Sequence, residues 1–516
     1  GGSPSPDPIK FIQDSVKNVQ EQLPQSLNEL TSGLTSRTAG TDWSPPNVVP
    51  RLGSFGSDPS KKEDKFTLAW AIADGWNGKA WEKRWSELKR PDKPRVLILM
   101  SETGGGHKAS ARSIADALEE LAPGRLSVHI VDVFVEHAGF PFNRFPKMYQ
   151  WFSSKPTFWD AVYKTSKMTS NSVVGWEEPL ALAWDSDFQK CVQQENPDII
   201  VSVHPLCQDP TCRVVRRISK WKAGRKVPFV TCVTDLGEGH PFWFHPEVDK
   251  CFVPGESVQR DGLANGLKPE QLVMHGLPVR KGFWGVDTSE ENKKKLRAKL
   301  GIDDCRTVLV VGGGDGMGDL LKVATGVARA VPTDKELRQV VVICGKNAEV
   351  QRSLQQEKWD SRVRVNVQGF VGNMDEWMIA SDIIVTKAGP GTIAEATVVG
   401  LPMMLSGFLP GQEEANVKYV EQRHMGEYSN DPRELGERVC AWLDDPELLE
   451  MMARNSKKAG RPTSSINIAK DILETMAAHA RPVTAGEDEQ AQQDHAAANE
   501  DEQGQQDQAA ANGPSE

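Results

Sequence analysis

From residue 94 onward the chain alternates short apolar runs with longer stretches in which apolar residues recur every three or four positions. The runs are rich in Val, Ile and Leu with few polar breaks, which predicts strands buried on both faces; the 3.6-residue recurrence between them predicts covering helices. Six strands are expected at 96–100, 126–133, 198–203, 229–234, 250–253 and 272–276, and five more at 307–311, 340–344, 363–368, 382–386 and 402–405. Strand and helix in alternation indicate parallel sheets with helices on both faces. Two such sets, joined near 278–300, predict an α/β protein of two doubly wound, Rossmann-like domains facing across a cleft. Ligands of such sheets bind at the carboxyl ends of the strands. The boundaries are placed at 93–278 and 279–480, with the last helix free to pack back on the first domain.

The flanks follow other rules. Residues 1–92 read as a flexible extension that is processed or truncated at its start, since Gly1 is not preceded by Met. Ile12, Val16, Val19 and Leu23 would line one face of a helix that Pro24 ends, and 35–62 is a Ser/Pro/Gly linker. Trp70, Trp76, Trp81 and Trp85 then sit among charges, either on a helix packed against the main body or on a membrane-surface segment. At the far end, 481–516 is an acidic, Gln/Ala-rich tail that repeats itself at 492–499 and 505–512, and it is expected to be disordered.

Charge sharpens this division. The 516 residues carry a net charge of −10, but nine of the 71 acidic residues fall in 484–516, where there is no Lys or Arg. That leaves 61 basic against 62 acidic side chains in the body, a net −1. A nucleic-acid binder is disfavoured by that balance. No apolar run reaches the length of a membrane-spanning helix. The eight cysteines form no CxxC pair and sit mostly in apolar runs, so buried free thiols are expected, and no His/Cys spacing suggests a metal site.

Three glycine-rich turns carry the candidate chemistry. Ser101-Glu102-Thr103-Gly104-Gly105-Gly106-His107 follows the first strand and precedes a helix expected at 109–121. Glycines let a ligand approach the backbone, and a histidine pointing into the cleft can accept a proton near neutral pH. His107 breaks a GxGxxG pattern, and Asp132 is only near a ribose-binding position, so a dinucleotide is disfavoured. Gly312-Gly313-Gly314-Asp315-Gly316-Met317-Gly318 opens a helix in the second domain. Thr386-Lys387-Ala388-Gly389-Pro390-Gly391-Thr392-Ile393-Ala394-Glu395 follows another strand; Pro390-Gly391-Thr392 reads as a helix start whose N–H groups suit a phosphate. Glu395 lies one turn on, placed to grip ribose hydroxyls, and Gln412 and Glu413 are clustered acceptors suited to sugar hydroxyls. The alternative for that last segment is a solvated charged helix face.

Taken in order, VLILMSETGGGHKASA, PDIIVSVHPL, VTDLGEGHPFWFHPEVDKCFVP, GLPVRKGFW, VGGGDGMG, ICGKN and IIVTKAGPGTIAEA with the following GQEEAN resemble the GT-B glycosyltransferases that include the peptidoglycan N-acetylglucosaminyltransferase. Within them, the match is to the monogalactosyldiacylglycerol synthase family of plastids, over about 93–475. The resemblance implies inverting transfer of galactose from UDP-α-galactose to the free hydroxyl of 1,2-diacylglycerol. His107 would be the catalytic base. UDP-sugar would be held by Gly105, Gly106, Gly313, Gly314, Gly316, Gly389, Gly391, Thr392, Glu395, Gln412 and Glu413, with Lys387 and Arg280 as basic helpers. No metal or other cofactor is implied, and the one DxD pattern, Asp185-Ser186-Asp187, falls in a helical stretch. The first domain would face the lipid: Phe145, Pro146, Lys147 and Trp151, with Arg144, would form a loop dipping into an anionic membrane surface. His240 would lie on the acceptor side. Phosphatidylglycerol and phosphatidic acid are implied activators. The implied address is peripheral on the plastid envelope, and a dimer is allowed.

Other residues read less distinctively. His245 is a cleft candidate, His204 follows a strand end, and His129 in its strand pattern is expected in the core. Gly237-Glu238-Gly239 is looser than the family pattern, and Glu102 stands where Asp is expected. The alternatives kept are a UDP-glucose-dependent or processive diacylglycerol glycosyltransferase, a UDP-sugar epimerase, and a nucleotide-binding module without chemistry.

Overall fold

The computed structural model describes residues 93–103, 105–139, 142–153, 155–169, 177–221, 226–312, 319–332 and 336–480, together with Lys83. The helix expected from Ile9 to Leu23, the tryptophan-rich segment and the acidic tail lie outside these residues.

The first sheet is built outward from β1 (Arg95–Met100), which runs parallel to both β2 (Ser127–Asp132) and β3 (Ile199–Ser202). Next come β4 (Phe229–Cys232), β5 (Lys250–Val253) and β6 (Leu272–Met274), giving the order β2-β1-β3-β4-β5-β6. The second sheet repeats the plan with β7 (Arg306–Val311), β8 (Arg338–Ile343), β9 (Val363–Gln368), β10 (Ile383–Lys387), β11 (Met403–Gly407) and β12 (Gly426–Tyr428), in the order β12-β11-β10-β7-β8-β9. Every pairing in both sheets is parallel. These are the two doubly wound sheets expected. Strand β12 had no counterpart in the sequence pattern, because Gly426-Glu427-Tyr428 contains no apolar run.

Period-two alternation places the two sides of β1 in separate cores. Leu97 and Leu99 pack with Trp184 and Phe188, whereas Val96, Ile98 and Met100 pack with Ile114 and Leu118 of helix α1 (Gly105–Leu121). Central strands β3 and β4 are buried at every position, as the unbroken apolar runs predict. The edge strand β2 is not: only Val131 and Asp132 at its end are buried, and His129, expected in the core, is exposed and lies 2.5 Å from Glu195. Sheet-edge position explains that correction, since one flank of β2 has no strand to cover it.

Both sheets lie within one compact unit, Lys62–Glu516. Beyond β2, the chain forms helices α2 (Phe145–Ser153) and α3 (Pro156–Thr169), a hairpin beside the first sheet. In the second sheet, α4 (Pro390–Val399) follows β10 and α5 (Glu414–Glu421) follows β11. The last described helix, α6 (Ser464–His479), returns to the first sheet. Its Ile468, Ile472, Leu473 and Met476 complete the core under α1, and Asp471 lies 2.6 Å from Lys250 and 2.5 Å from His275.

Candidate active site

Each sheet reverses its strand order beside its first strand: between β1 and β3 in one, between β7 and β10 in the other. These switch points open crevices at the carboxyl ends of the strands. Helix α1 follows β1 at the first; Gly312, directly after β7, and α4, after β10, flank the second. Ser101 Oγ, just past β1, and Thr386 Oγ1, in β10, are buried without a hydrogen-bond partner among the described residues.

His107 sits at the first switch point. Helix α1 begins at Gly105, four residues earlier than expected, so Gly105, Gly106 and His107 form its first turn rather than a turn before it. First-turn N–H groups have no intrahelical partner in any case, so glycine costs little there, and packing of the imidazole decides the start. His107 Nδ1 lies 2.8 Å from the Val203 carbonyl beyond β3 and 3.0 Å from Thr234 Oγ1. A carbonyl can only accept, so Nδ1 carries the proton and Nε2 keeps its lone pair. Burial draws the His107 pKa down to about 4, against a smaller upward pull from the Val203 carbonyl. The ring is therefore neutral at pH 7 and has one basic nitrogen. Gly105 and Gly106 are exposed with open space where a side chain would stand.

His204, His240 and His245, also singled out in the sequence, are engaged by partners within the protein. His204 is buried, accepts at Nδ1 from the Leu206 N–H and lies 3.1 Å from Thr103 Oγ1 through Nε2. His240 was expected on the acceptor side of the cleft, but it is buried with both nitrogens engaged. Nδ1 accepts from the Phe242 N–H, and Nε2 lies 3.0 Å from Ser166 Oγ, whose proton goes to the Tyr163 carbonyl. Burial pushes its pKa down to about 3. Through Ser166 it ties α3 to the segment after β4. His245 lies 3.7 Å from Asp209 and accepts at Nδ1 from the Glu247 N–H.

On the donor side, α4 starts as expected, with Gly389 as N-cap and Pro390 at the first position. Gly391 is exposed and Thr392 half-buried, so the free N–H groups of this ten-residue helix are open to solvent. Glu395 is buried, and Arg280, expected to help with phosphate, grips it instead through Nε at 2.5 Å and Nη2 at 2.6 Å. Burial raises the Glu395 carboxyl, and the guanidinium counters it. Lys387, the other expected phosphate helper, pairs with Glu413 at 2.5 Å. Glu413 also accepts from the Leu409 N–H at 2.9 Å. Both cations thus neutralise buried carboxylates in this state. Gly313, Gly314 and Gly316 lie outside the described residues.

The two crevices are joined through the segment after β4. Thr234 touches His107, and the next residue, Asp235, is buried and accepts from the Trp243 indole N–H at 2.7 Å. Burial, opposed by that bond, lifts its carboxyl to about 6, with Glu413 among the charges that raise it. Gly237 is where the backbones meet: a Cβ there would lie 2.3 Å from the Ala415 carbonyl oxygen. Its N–H donates to Asn416 Oδ1 at 2.8 Å, and Asn416 Nδ2 donates to the Ala388 carbonyl at 2.9 Å. The looseness of Gly237-Glu238-Gly239 in the sequence thus reflects close packing. Asn416, Asp235 and Tyr149, whose hydroxyl donates to Gln412 at 3.0 Å, are site residues that sequence reasoning missed. Only their position after strand ends or beside Gln412 could have signalled them.

The segment expected as a membrane loop is helical. Phe142–Arg144 forms a 3-10 turn and α2 follows directly, because proline is tolerated in a first turn. Helical phase then divides the expected set. Pro146 is buried and Phe145 packs on Phe134 with ring centroids 5.1 Å apart, whereas Arg144, Lys147, Met148 and Trp151 are exposed. Lys155 lies 5.0 Å over the Trp151 ring. Among the described residues, no helix is long and apolar enough to cross a membrane, and no three His, Cys, Asp or Glu side chains are grouped to hold a metal. A cavity of about 340 Å³ lined by Cys212, Arg216, Lys226, Phe229, Glu247 and Asp249 lies at the amino ends of β4 and β5, away from these crevices.

Comparisons with known proteins match this layout half by half. Residues 107–279 match the family model of monogalactosyldiacylglycerol (MGDG) synthase, and 307–476 match the glycosyltransferase family 28 C-terminal domain. The probable monogalactosyldiacylglycerol synthase 2, chloroplastic, of Oryza sativa subsp. indica is 38% identical over 384 residues, covering 73% of this chain and 80% of that one. Monogalactosyldiacylglycerol synthase 1, chloroplastic, of Arabidopsis thaliana is 38% identical over 396 residues, covering 75% and 72%. The crystal structure of MurG from Acinetobacter baumannii is 14% identical, covers 74% of this chain and 100% of that one, and superposes with a TM-score of 0.49. Identity at that level, sustained over most of both sequences and spanning both crevices, places the chain in the monogalactosyldiacylglycerol synthase family.

Proposed function

We propose that the protein transfers galactose from UDP-α-galactose to the free hydroxyl of 1,2-diacylglycerol, giving monogalactosyldiacylglycerol, with His107 as general base. The observation that carries this reading is the tautomer of His107: Nδ1–H is donated to the Val203 carbonyl, which leaves Nε2 as the acceptor. In the reaction, the diacylglycerol hydroxyl gives its proton to Nε2 while its oxygen attacks the anomeric carbon. The bond from that carbon to the diphosphate breaks on the opposite face, and UDP departs with the electron pair. A single displacement inverts α to β without a covalent intermediate. The N–H groups of Gly391 and Thr392 at the start of α4 are suited to the charge that develops on the leaving diphosphate. Glu395 would accept from ribose hydroxyls, and Gln412 and Glu413 would hold the sugar. No metal enters the proposal.

The exposed Arg144, Lys147, Met148 and Trp151 support docking on an anionic bilayer, with phosphatidylglycerol or phosphatidic acid as activating lipids. The names of the curated relatives support a chloroplast address. The decisive test supplies diacylglycerol vesicles and labelled UDP-galactose, with UDP-glucose in parallel, and adds or omits phosphatidylglycerol. The expected product is a β-galactolipid formed faster on anionic vesicles. Preferential turnover of UDP-glucose, or turnover of the UDP-sugar without any lipid acceptor, would overturn the reading.

A further inference from the structure

We propose that Tyr149 is a positioning residue for the donor sugar: from helix α2, beside the first sheet, its hydroxyl sets the orientation of the Gln412 amide beside the second. The proposal rests on the reading of Gln412 as a sugar ligand.

A glutamine amide has two nearly isosteric orientations, one presenting an acceptor and the other two donors. Tyr149 Oη donates to Gln412 Oε1 at 3.0 Å. That bond occupies the amide oxygen on the α2 side and leaves the two N–H groups of Nε2 to point elsewhere, as donors to sugar hydroxyl oxygens. Tyr149 can hold this role because it is itself fixed. Its ring meets Trp159 edge-on with centroids 4.9 Å apart, and burial together with the charges of Glu413 and Asp235 pushes its phenol further above neutrality, so it remains a donor. The backbone is held as well. Gly411 has φ of +78° and faces α3 so closely that a Cβ would lie 3.0 Å from Tyr163 Cδ1 and 3.2 Å from Asp160. Neighbouring Glu413 is committed to Lys387 and the Leu409 N–H. Gln412 is therefore the adaptable member of the pair, and Tyr149 removes its choice. Galactose and glucose differ only in the direction of one hydroxyl, so an amide fixed in one orientation can discriminate between them where a rotating one cannot.

The test compares Tyr149→Phe, Gln412→Ala and the double variant. It measures initial rates with UDP-galactose and UDP-glucose on diacylglycerol vesicles, and binding of UDP by calorimetry. Tyr149→Phe deletes one oxygen and keeps the ring packing. It is expected to lower kcat/KM for UDP-galactose about three- to tenfold and to narrow the preference over UDP-glucose, the loss of one neutral hydrogen bond. UDP, which has no sugar, should bind as in the wild type, and the phenylalanine change should have no effect on top of Gln412→Ala. Wild-type kinetics for Tyr149→Phe, an equal loss of UDP affinity, or full additivity in the double variant would overturn the inference. A silent Gln412→Ala would instead show that Gln412 does not hold the sugar, and the inference would fall with that reading.

Discussion

Arg280 holds both carboxylate oxygens of Glu395, one through Nε and one through Nη2. The carboxylate is buried, and burial raises its carboxyl; the guanidinium opposes that shift and fixes the carboxylate plane. Each carboxylate oxygen has a second lone pair, so the pair can still accept from a ligand. Arg280→Ala should therefore weaken UDP binding about as much as Glu395→Ala, roughly tenfold or more, because an unpaired buried carboxyl takes up a proton and loses its charge. Calorimetric titration with UDP checks this. Unchanged affinity in both variants would place the ribose contact elsewhere.

His107→Ala should cut kcat by about 100-fold or more, since positioned proton transfer contributes on that order. UDP affinity should change by less than about twofold, because a base proposed to serve the acceptor hydroxyl has no part in holding the nucleotide. A variant that keeps more than about a tenth of wild-type kcat would remove His107 from the role of base.

Gly237→Ala tests the contact between the crevices. The added methyl would stand 2.3 Å from the Ala415 carbonyl oxygen, so the start of α5 must move and Asn416 must lose its bond to the Gly237 N–H. The change should cost about 1–3 kcal/mol of stability, read from denaturant midpoints, and should lower kcat/KM for UDP-galactose. Wild-type values of both would show that the two backbones can separate freely.

Acid should destabilise the fold before it titrates most carboxylates. Burial holds His107 at about 4 and His240 at about 3, and pushes His204 well below its ordinary 6.5. Below pH 6.5 the unfolded chain takes up protons that the folded chain refuses, so this stability is complete above about 6.5 and is lost as pH falls toward the folded values. Asp235 acts in the opposite sense: raised to about 6 from 3.8, it contributes stability at low pH that is lost as pH rises through 6. His245, also drawn down by burial, adds to these three, while Asp132, Asp261, Glu395 and His479 are raised and side with Asp235. The large histidine shifts are expected to prevail, lowering the melting temperature by roughly 3 °C or more between pH 7 and 5. Alanine at His240 should flatten the slope; a melting temperature independent of pH would contradict the assignment.

Much of this was legible from periodicity. The central strands are buried on both faces and leave unbroken apolar runs, and the start of α4 is spelled out by Pro390 after Gly389. What escaped was decided by contacts remote in sequence. The early start of α1 follows from the hold of Val203 and Thr234 on His107, 96 and 127 residues away. The pairing of Arg280 with Glu395 spans 115 residues, and that of Lys387 with Glu413 spans 26, so neither cation could be recognised as already engaged. The helix at Phe145–Ser153 was hidden by Pro146, whose break is harmless in a first turn.

Helix α6 closes the first sheet although the chain has by then built the second. Ile468, Ile472, Leu473 and Met476 cover the side of β1 that carries Val96 and Ile98, and Ser465 accepts from the Val279 N–H at 3.0 Å where the chain crosses between sheets. A gene fragment encoding only the first six strands would leave that apolar wall bare. Expressed by itself it should aggregate, and supplying 464–479 as a separate peptide should recover soluble material. The halves that divide the chemistry between them are therefore not interchangeable modules: evolution or engineering that swaps the donor-binding half must carry a matching final helix with it.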